Sequence, residues 1–161
     1  MRTAVTIFAA VVNLLLADAV TKELAARLLN GSAAVSVIPG FFDLAYVENR
    51  GCAWGLFQGQ VWPLAVFGSV ALAVLVWKRK SVFGLDAKGA RLWAGRVAEV
   101  LLYAGIVGNL IDRMFRGYVI DFLDFHWRAA YHFPCFNLAD TFICVAAGLL
   151  VLTSAGARKP A

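Results

Sequence analysis

Hydrophobic residues are concentrated in four long runs of this chain, and the segments between the runs hold most of the polar residues. The runs cover residues 3–20, 61–77, 93–111 and 136–155. Each is close to the roughly 17 to 25 residues that an α-helix needs to cross the hydrocarbon core of a bilayer. The pattern predicts an all-α polytopic membrane protein with four transmembrane helices.

Two of the intervening segments are long enough to form structure of their own, at about residues 21–60 and 112–135. The first is rich in β-branched and aromatic residues and is interrupted by Pro39 and several glycines, a composition typical of short strands and turns. Its aromatic residues suit a position at the membrane surface. We therefore expect one integral membrane domain over residues 1–161, with both long loops on the same face.

The composition agrees with a protein embedded in lipid. Hydrophobic residues make up 61% of the 161 residues and charged residues only 16%, against about 45 to 50% and about 25% in soluble domains. Of the 15 basic residues, nine lie on the side that holds both termini and the loop after the second run. The positive-inside rule then predicts cytoplasmic termini and extracytoplasmic long loops.

The net charge of +5 is explained by this topology. No basic stripe with interleaved aromatic residues remains, so nucleic acid is not an expected partner. The first run also permits a second interpretation as a cleavable signal sequence, because residues 17–19 loosely resemble a small-x-small cleavage site. Cleavage would leave three spans and place one basic end on the wrong side, so we favour an uncleaved first helix.

Ionisable and amide side chains gather at the predicted outer ends of the spans. A charge at membrane depth costs about 2.5 to 3.5 kcal/mol on insertion scales, so each such residue requires a structural or functional reason. The residues concerned are Asp18, Lys22, Asn109, Asp112, Arg113, Asp121, Asn137 and Asp140. The topology therefore predicts one polar layer near the extracytoplasmic face.

Two aspartates in this layer, Asp121 and Asp140, are candidates for acid and base catalysis. Two carboxylates close together in a low-dielectric site cannot both ionise easily, so one retains a proton while the other can act as a base. Local spacing leaves alternatives open at both positions. Asp140 has the spacing of a helix cap with Asn137, and Asp124 competes with Asp121 for the catalytic role.

Several other kinds of site are not predicted. The chain lacks a Gly-x-Ser-x-Gly turn and a His-Glu-x-x-His helix, so the sequence favours neither a serine nor a zinc enzyme, and His126 and His132 have no ligand-like spacing. We therefore expect no metal and no cofactor. Cys52 and Cys135 share the outer side and could pair, but buried thiols are the simpler interpretation.

Four motifs resemble those of one known family, the bacterial lipoprotein signal peptidases or signal peptidases II. The first run ends in DAVTK, similar to Asp-x-x-Thr/Ser-Lys, and the first long loop contains ENRGCAWG, similar to Asn-x-Gly-x-Ala-aromatic. The third run ends in GIVGNLIDR, and VIDF followed by FPCFNLAD is similar to the family's paired-aspartate region. The likeness covers nearly the whole chain, although Cys52 stands where Ala is usual and Trp54 where Phe is common.

The resemblance implies a metal-independent aspartic endopeptidase, with Asp121 rather than Asp124 as the catalytic partner of Asp140. It also implies a small extracytoplasmic β-cradle with a short interfacial helix. Asp18 and Lys22 would stabilise the end of the first span. The residues expected to support the site or bind substrate are Asn49, Gly105, Asn109, Asp112, Arg113, Asn137 and Ala139.

The substrate implied by the resemblance is a diacylglyceryl-modified prolipoprotein, cut just before its lipidated cysteine. The resemblance also implies that the protein binds globomycin-type inhibitors and membrane phospholipid. It implies a monomer located in the bacterial cytoplasmic (inner) membrane. Two non-enzymatic alternatives remain, namely a proton-coupled transporter, in which intramembrane carboxylates carry ions, and a lipid-binding assembly factor. The transporter needs a polar path through the bilayer, but the second run is almost wholly apolar.

Overall fold

The structure, a computed structural model, describes residues 2–127 and 131–155. Helices α1 (Arg2–Leu29), α2 (Val61–Trp77), α4 (Gly89–Phe115) and α5 (Leu138–Ala155) form a bundle, and α3 (Arg79–Val82) is a single turn between α2 and α4. Strands β1 (Val35–Ile38) and β2 (Phe42–Asn49) follow α1, while β3 (Val119–Trp127) and β4 (Tyr131–His132) follow α4. The molecule is therefore mostly helical with one small sheet.

Two of the helices are long and apolar enough to cross a membrane by length and composition, Thr3–Leu29 and Gly89–Phe115. The helices at Val61–Trp77 and Leu138–Ser154 are apolar but shorter. Much of this apolar surface is exposed, including Phe8, Phe67 and Leu152. An exposed apolar surface of this extent suits contact with lipid.

Helix α1 extends nine residues beyond the predicted run of residues 3–20, into the segment expected to be loop. Polar side chains in this extension make hydrogen bonds within α1 and to the end of α4. Arg27 Nε donates to Glu23 Oε1 at 2.7 Å, and Arg116 Nη2 donates to Glu23 Oε2 at 3.2 Å. Helix α4 likewise exceeds the predicted residues 93–111 at both ends. Hydrophobic runs therefore locate the helices, but they underestimate the length of α1 and α4.

The four strands form an antiparallel sheet in the order β1-β2-β3-β4. The register of β2 against β3 shifts between Leu44 and Val47, where β2 has one extra residue. Ile120 and Phe122 of β3 pack against Ala25 and Leu29 of α1, which fixes the sheet on the end of that helix. Between β2 and α2 the chain makes a 3-10 turn at Ala53–Gly55.

Helix α4 is the centre of the bundle, because it packs against α1, α2 and α5. It approaches α5 closely at Gly105, where a Cβ atom would lie 2.5 Å from the Ala139 carbonyl oxygen. One turn later, a Cβ on Gly108 would lie 2.7 Å from Asp18 Oδ2. Small residues at these positions let three helices converge at one level.

The opposite end of α4 is held by a buried carboxylate. Glu99 is fully buried, and Arg79 and Arg96 both donate to its side chain. Phe83 packs nearby against Ala98 and Ala146. Because a buried charge needs a partner, the two arginines explain how Glu99 is tolerated there.

Candidate active site

Asp121 lies in β3 and is only 2% exposed. Two side-chain amides hold its carboxylate: Asn49 Nδ2 donates to Oδ2 at 2.9 Å, and Asn137 Nδ2 donates to Oδ1 at 2.7 Å. Val47 is the register partner of Asp121, so Asn49, two positions further along β2, projects from the same face of the sheet. The sheet register therefore brings Asn49 to Asp121.

Asp140 lies in the first turn of α5 and serves as part of a helix cap. Its backbone N–H donates to Asn137 Oδ1 at 2.9 Å, and the backbone N–H of Asn137 donates to Asp140 Oδ2 at 3.2 Å. This reciprocal pair is a capping-box arrangement. The other carboxylate oxygen of Asp140, Oδ1, accepts from Asn109 Nδ2 at 2.7 Å. Asp140 is thus both a cap and a member of the polar cluster, so the two interpretations are compatible.

Asn137 connects the two aspartates. It is fully buried, and its Nδ2 donates to Asp121 and also lies 3.2 Å from Asn109 Oδ1, while its Oδ1 accepts from Asp140. Both of its amide atoms are therefore committed, which fixes the orientation of the amide. A rotation of Asn137 would break hydrogen bonds to both carboxylates at once.

A buried ion cluster supports this network from the side of α1. Lys22 Nζ lies 2.8 Å from Asp18 Oδ2 and 2.9 Å from Asp112 Oδ2, and it donates to Asn109 Oδ1 at 3.1 Å. The other oxygen of Asp18 accepts from the backbone N–H of Ala139 at 2.9 Å. The cluster thus ties α1 to α4 and to the first turn of α5, where Asp140 lies.

Arg113 joins the outer loop to α4. Its Nη2 donates to the Gly51 carbonyl at 2.9 Å and its Nη1 donates to the Asn109 carbonyl at 3.3 Å. Gly51 N in turn donates to Asn49 Oδ1 at 2.9 Å. Through these contacts, Arg113 holds the loop segment that presents Asn49 to Asp121.

The electrostatic setting of Asp121 is unusual. Burial, and after it the negative charge of Asp140, raises the pKa of the Asp121 carboxyl from 3.8 to about 7. The hydrogen bonds from Asn49 and Asn137 and the charge of Lys22 act in the opposite direction but do not cancel the effect. Asp121 therefore exchanges its proton near neutral pH, as a general acid or base must.

Two cavities meet at Asp140. The smaller, of about 480 Å³, is lined by both aspartates and by Asn49, Trp54, Phe133 and Thr141, among others. The larger, of about 910 Å³, lies between α2, α4 and α5 and is lined mainly by apolar residues. They include Leu64, Phe67, Ala71, Ile106 and Ile143. A molecule with a polar and an apolar part could thus place the polar part in the smaller cavity and the apolar part in the larger one, with the bond between the two parts beside Asp140.

Trp54 and Phe133 flank the smaller cavity from opposite segments, with their rings edge-to-face at 5.5 Å. Trp54 has φ 62, a conformation that is uncommon for a residue with a side chain. Strained positions of this kind are maintained by their surroundings and cluster at functional sites. The aromatic pair connects the outer loop to the segment leading into α5.

The structure separates the two candidate aspartates in β3. Asp121 and Asp124 are three positions apart in a strand, so their side chains project from opposite faces. Asp124 lies 3.6 Å from His132 Nδ1 and not in the cavity that Asp121 and Asp140 share. Cys52 and Cys135 both line that cavity and are not joined by a disulfide bond. Burial raises the pKa of the Cys135 thiol to about 12, which makes it a poor nucleophile.

Sequence reasoning missed some of these contacts. The Gly51 carbonyl and the backbone N–H of Ala139 are main-chain groups and leave no side-chain signal. Phe133 was not identified as a partner of Trp54. Spacing also gave no indication that Lys22 donates to Asn109, since these residues are 87 positions apart.

Fold and site together define a helical membrane protein in which two carboxylates face one cavity near the ends of its helices. A family model described as "Signal peptidase (SPase) II" matches residues 10–155. The chain belongs to the signal peptidase II family. A lipoprotein signal peptidase of Syntrophotalea carbinolica is 42% identical over 84% of this chain and 81% of its own length. One of Shewanella loihica is 38% identical over 93% and 86%.

Solved structures agree with the fold. A bacterial membrane enzyme structure determined by the in meso method at 2.3 Å resolution superposes with a TM-score of 0.76 and 29% identity, covering 97% of this chain and 93% of that one. A second, at 1.9 Å resolution, has a TM-score of 0.75 and 31% identity, with 92% of each chain covered. The expected family is therefore confirmed, and with it a protease of the membrane that processes lipoprotein signal peptides.

Proposed function

We propose that this chain is an aspartic endopeptidase that removes the signal peptides of diacylglyceryl-modified prolipoproteins by cutting before the lipidated cysteine. The observation that carries the proposal is that Asp121 and Asp140 line one cavity and are joined by the buried amide of Asn137. No cofactor takes part in the reaction. Membership of the signal peptidase II family supplies the substrate class.

The reaction divides acid and base roles between the two aspartates. Asp121, whose pKa is about 7, carries the shared proton in the resting enzyme, and Asp140 accepts a proton from water. The resulting hydroxide attacks the scissile carbonyl carbon while Asp121 donates its proton to the carbonyl oxygen. The tetrahedral intermediate then collapses: the proton held by Asp140 passes to the leaving nitrogen as the C–N bond breaks. One hydroxyl of the intermediate returns its proton to Asp121, which restores the starting protonation of the pair.

The amides around the pair position the carboxylates and set their proton affinity. Asn49 and Asn137 favour ionised Asp121, and Asn109 donates to Asp140, so each carboxylate keeps a fixed orientation toward the cavity. Asp112 pairs with Lys22, which in turn donates to Asn109. Gly105 allows α5 to approach α4. These residues are positioning groups, whereas the aspartates contact the reacting atoms.

The two cavities suit the two parts of the substrate. The peptide on either side of the scissile bond would occupy the smaller cavity, beneath Trp54 and Phe133. The diacylglyceryl chains would occupy the larger apolar cavity between α2, α4 and α5, which membrane phospholipid fills in the absence of substrate. Globomycin-type inhibitors would bind across the junction at Asp140.

In the bilayer, the proposed topology has four spans, formed by α1, α2, α4 and α5, with both termini in the cytoplasm. The sheet and the dyad then lie near the extracytoplasmic face of the bacterial inner membrane, and the chain acts as a monomer. The basic residues that follow α2, at Lys78 to Lys80, support this orientation. The lipidated cysteine of a substrate anchored in the outer leaflet would then be at the depth of Asp140.

The test is cleavage of a lipidated prolipoprotein peptide by the purified enzyme in detergent micelles. We expect Asp121→Asn and Asp140→Asn each to abolish cleavage, because each removes one proton-transfer group. Glu48→Gln, which removes an exposed carboxylate from the neighbouring strand β2, is the control and should retain activity. Wild-type cleavage by either dyad variant, or equal loss in the control, would refute the assignment.

A further inference from the structure

A second polar cluster lies on the face of the sheet opposite to Asp121. It consists of Asp43 in β2, Asp124 and His126 in β3, and His132 in β4. Asp43 is the register partner of Asp124, and His126 is the register partner of His132. Two carboxylates and two imidazoles from three adjacent strands therefore meet at one place that the dyad does not use.

The cluster has the spacing of a small metal site. One ligand atom each from Asp124, His126 and His132 can be chosen so that all three lie within 4.8 Å of one another. Asp124 Oδ1 is 3.6 Å from His132 Nδ1, and the two imidazole rings are nearly parallel with centroids 4.9 Å apart. Nitrogen and oxygen ligands lie about 2.0 to 2.2 Å from a Zn²⁺ ion, so these side chains would have to turn toward one another to hold it.

The most buried member of the cluster lacks a hydrogen-bond partner. The His126 side chain is 8% exposed, and its Nδ1 makes no hydrogen bond within residues 2–127 and 131–155. Its other nitrogen, Nε2, lies 3.8 Å from Asp43 Oδ2. A carboxylate beside one imidazole nitrogen leaves the other free to bind a metal, which is the usual arrangement of a metal-bound histidine.

The charges also favour a cation. Asp43 and Asp124 lie directly opposite each other on antiparallel strands, and like charges in that position destabilise a sheet. Within the described ranges, their ion-pair partners are the two histidines, His126 for Asp43 and His132 for Asp124. If both histidines are neutral, the cluster holds two uncompensated negative charges.

We propose that Asp124, His126 and His132 bind a Zn²⁺ ion, with Asp43 orienting His126 from the second layer. Two imidazoles and one carboxylate favour Zn²⁺ over Mg²⁺ or Ca²⁺, which prefer oxygen ligands. The ion would complete its four-coordinate shell with water. Asp124 thus has a role that is separate from the catalytic pair.

The ion would fasten β4 to β3. β4 leads directly into the segment at Phe133 to Asn137, which lines the catalytic cavity and begins α5. Zn²⁺ would therefore stabilise the segment that presents Asn137 and Asp140, without touching the dyad. β4 has only two residues, so few hydrogen bonds hold it to β3. A metal ion that links the two strands would therefore contribute much of the stability of this pairing.

The experiment measures Zn²⁺ binding to the detergent-solubilised full chain, prepared without a polyhistidine tag. Isothermal titration with ZnCl₂ should give one ion per chain, and CoCl₂ should give the visible absorption of four-coordinate Co²⁺. His132→Ala changes an exposed side chain and should abolish both signals without loss of folding. Asp43→Asn should weaken binding by about 10- to 100-fold, as expected for a second-layer group.

Asp140→Asn is the matched control, because it removes a carboxylate of the catalytic cavity and should leave Zn²⁺ binding unchanged. Zn²⁺ should also raise the thermal midpoint of the wild type and of Asp140→Asn but not of His132→Ala. The proposal is overturned if the wild type binds no Zn²⁺. It is equally overturned if binding survives His132→Ala, or if Asp140→Asn removes it.

Discussion

Replacing Asp121 should change how the stability of the protein depends on pH. The pKa of this carboxyl is 3.8 in the unfolded reference and about 7 in the folded protein, so the folded state binds more protons between these values. Stability therefore falls as pH rises through this window, because the free energy of unfolding decreases wherever the folded state binds the extra proton. Asp121→Asn cannot ionise and should lose this part of the pH dependence.

The size of the effect follows from the shift. About three pKa units at about 1.4 kcal/mol each give an upper limit of about 4 kcal/mol. A comparison of pH 5 with pH 8 samples only the part of this window above pH 5, about two pKa units, so about 2 to 3 kcal/mol is the expected effect. The substitution also leaves an amide facing the donors of Asn49 and Asn137, which costs about 1 to 3 kcal/mol. That cost is independent of pH, so the difference between two pH values isolates the ionisation.

The assay is thermal unfolding in micelles at pH 5 and pH 8 at one scan rate. We expect the drop in midpoint from pH 5 to pH 8 to be smaller in Asp121→Asn than in the wild type by about 4 °C or more. The control is Glu48→Gln, which removes an exposed carboxylate from the neighbouring strand β2 and should keep the wild-type pH response. An identical pH response in Asp121→Asn and the wild type would show that Asp121 is not forced to carry a proton by its surroundings.

Other predictions test the supports of the site. Gly105→Ala should lower the free energy of unfolding by about 1 to 3 kcal/mol, because the added Cβ forces α4 away from α5, and it should reduce activity. Gly148→Ala, where a Cβ meets open space, should change neither. Equal thermal unfolding midpoints in the two variants would contradict the close approach. Lys22→Met should lower stability by about 3 to 5 kcal/mol because it strands two buried carboxylates, and the exposed Arg27→Met should not. In the pH–rate profile, the cleavage rate should decline above pH 7, where Asp121 loses its proton. Asn49→Ala should move that decline to higher pH, because the hydrogen bond from Asn49 lowers the pKa of Asp121. A shift to lower pH would contradict this role of Asn49.

The sequence predicted the helices and the family but not the geometry of the site. Long apolar runs are local signals, and they located all four long helices. Choosing between Asp121 and Asp124 requires knowing which face of β3 is turned toward α5. That face depends on the register with β2, which contains a shift between Leu44 and Val47. A displacement of one residue reverses the faces, and no local pattern records it.

The helix-cap and catalytic interpretations of Asp140 were open for a different reason. Both need the same residue at the same spacing, and only a partner from elsewhere in the chain shows that Asp140 joins the polar cluster as well as capping α5. That partner is Asn109, 31 residues away on α4, which takes the carboxylate oxygen that the cap leaves available. Contacts between distant elements of this kind depend on how the helices pack, as they do at Gly105, and local spacing does not record them.

The polar layer is one connected structure, and under the proposed mechanism stability and catalysis depend on the same bonds. Lys22 compensates the buried carboxylates of Asp18 and Asp112 and at the same time fixes Asn109, which orients Asp140. A buried ion cluster is costly to assemble, and an apolar replacement of the whole cluster could give similar stability. An apolar replacement would not hold Asn109 in one orientation. The proposed dyad, which needs a fixed geometry, would therefore explain why this end of the helices contains charges that folding alone does not need.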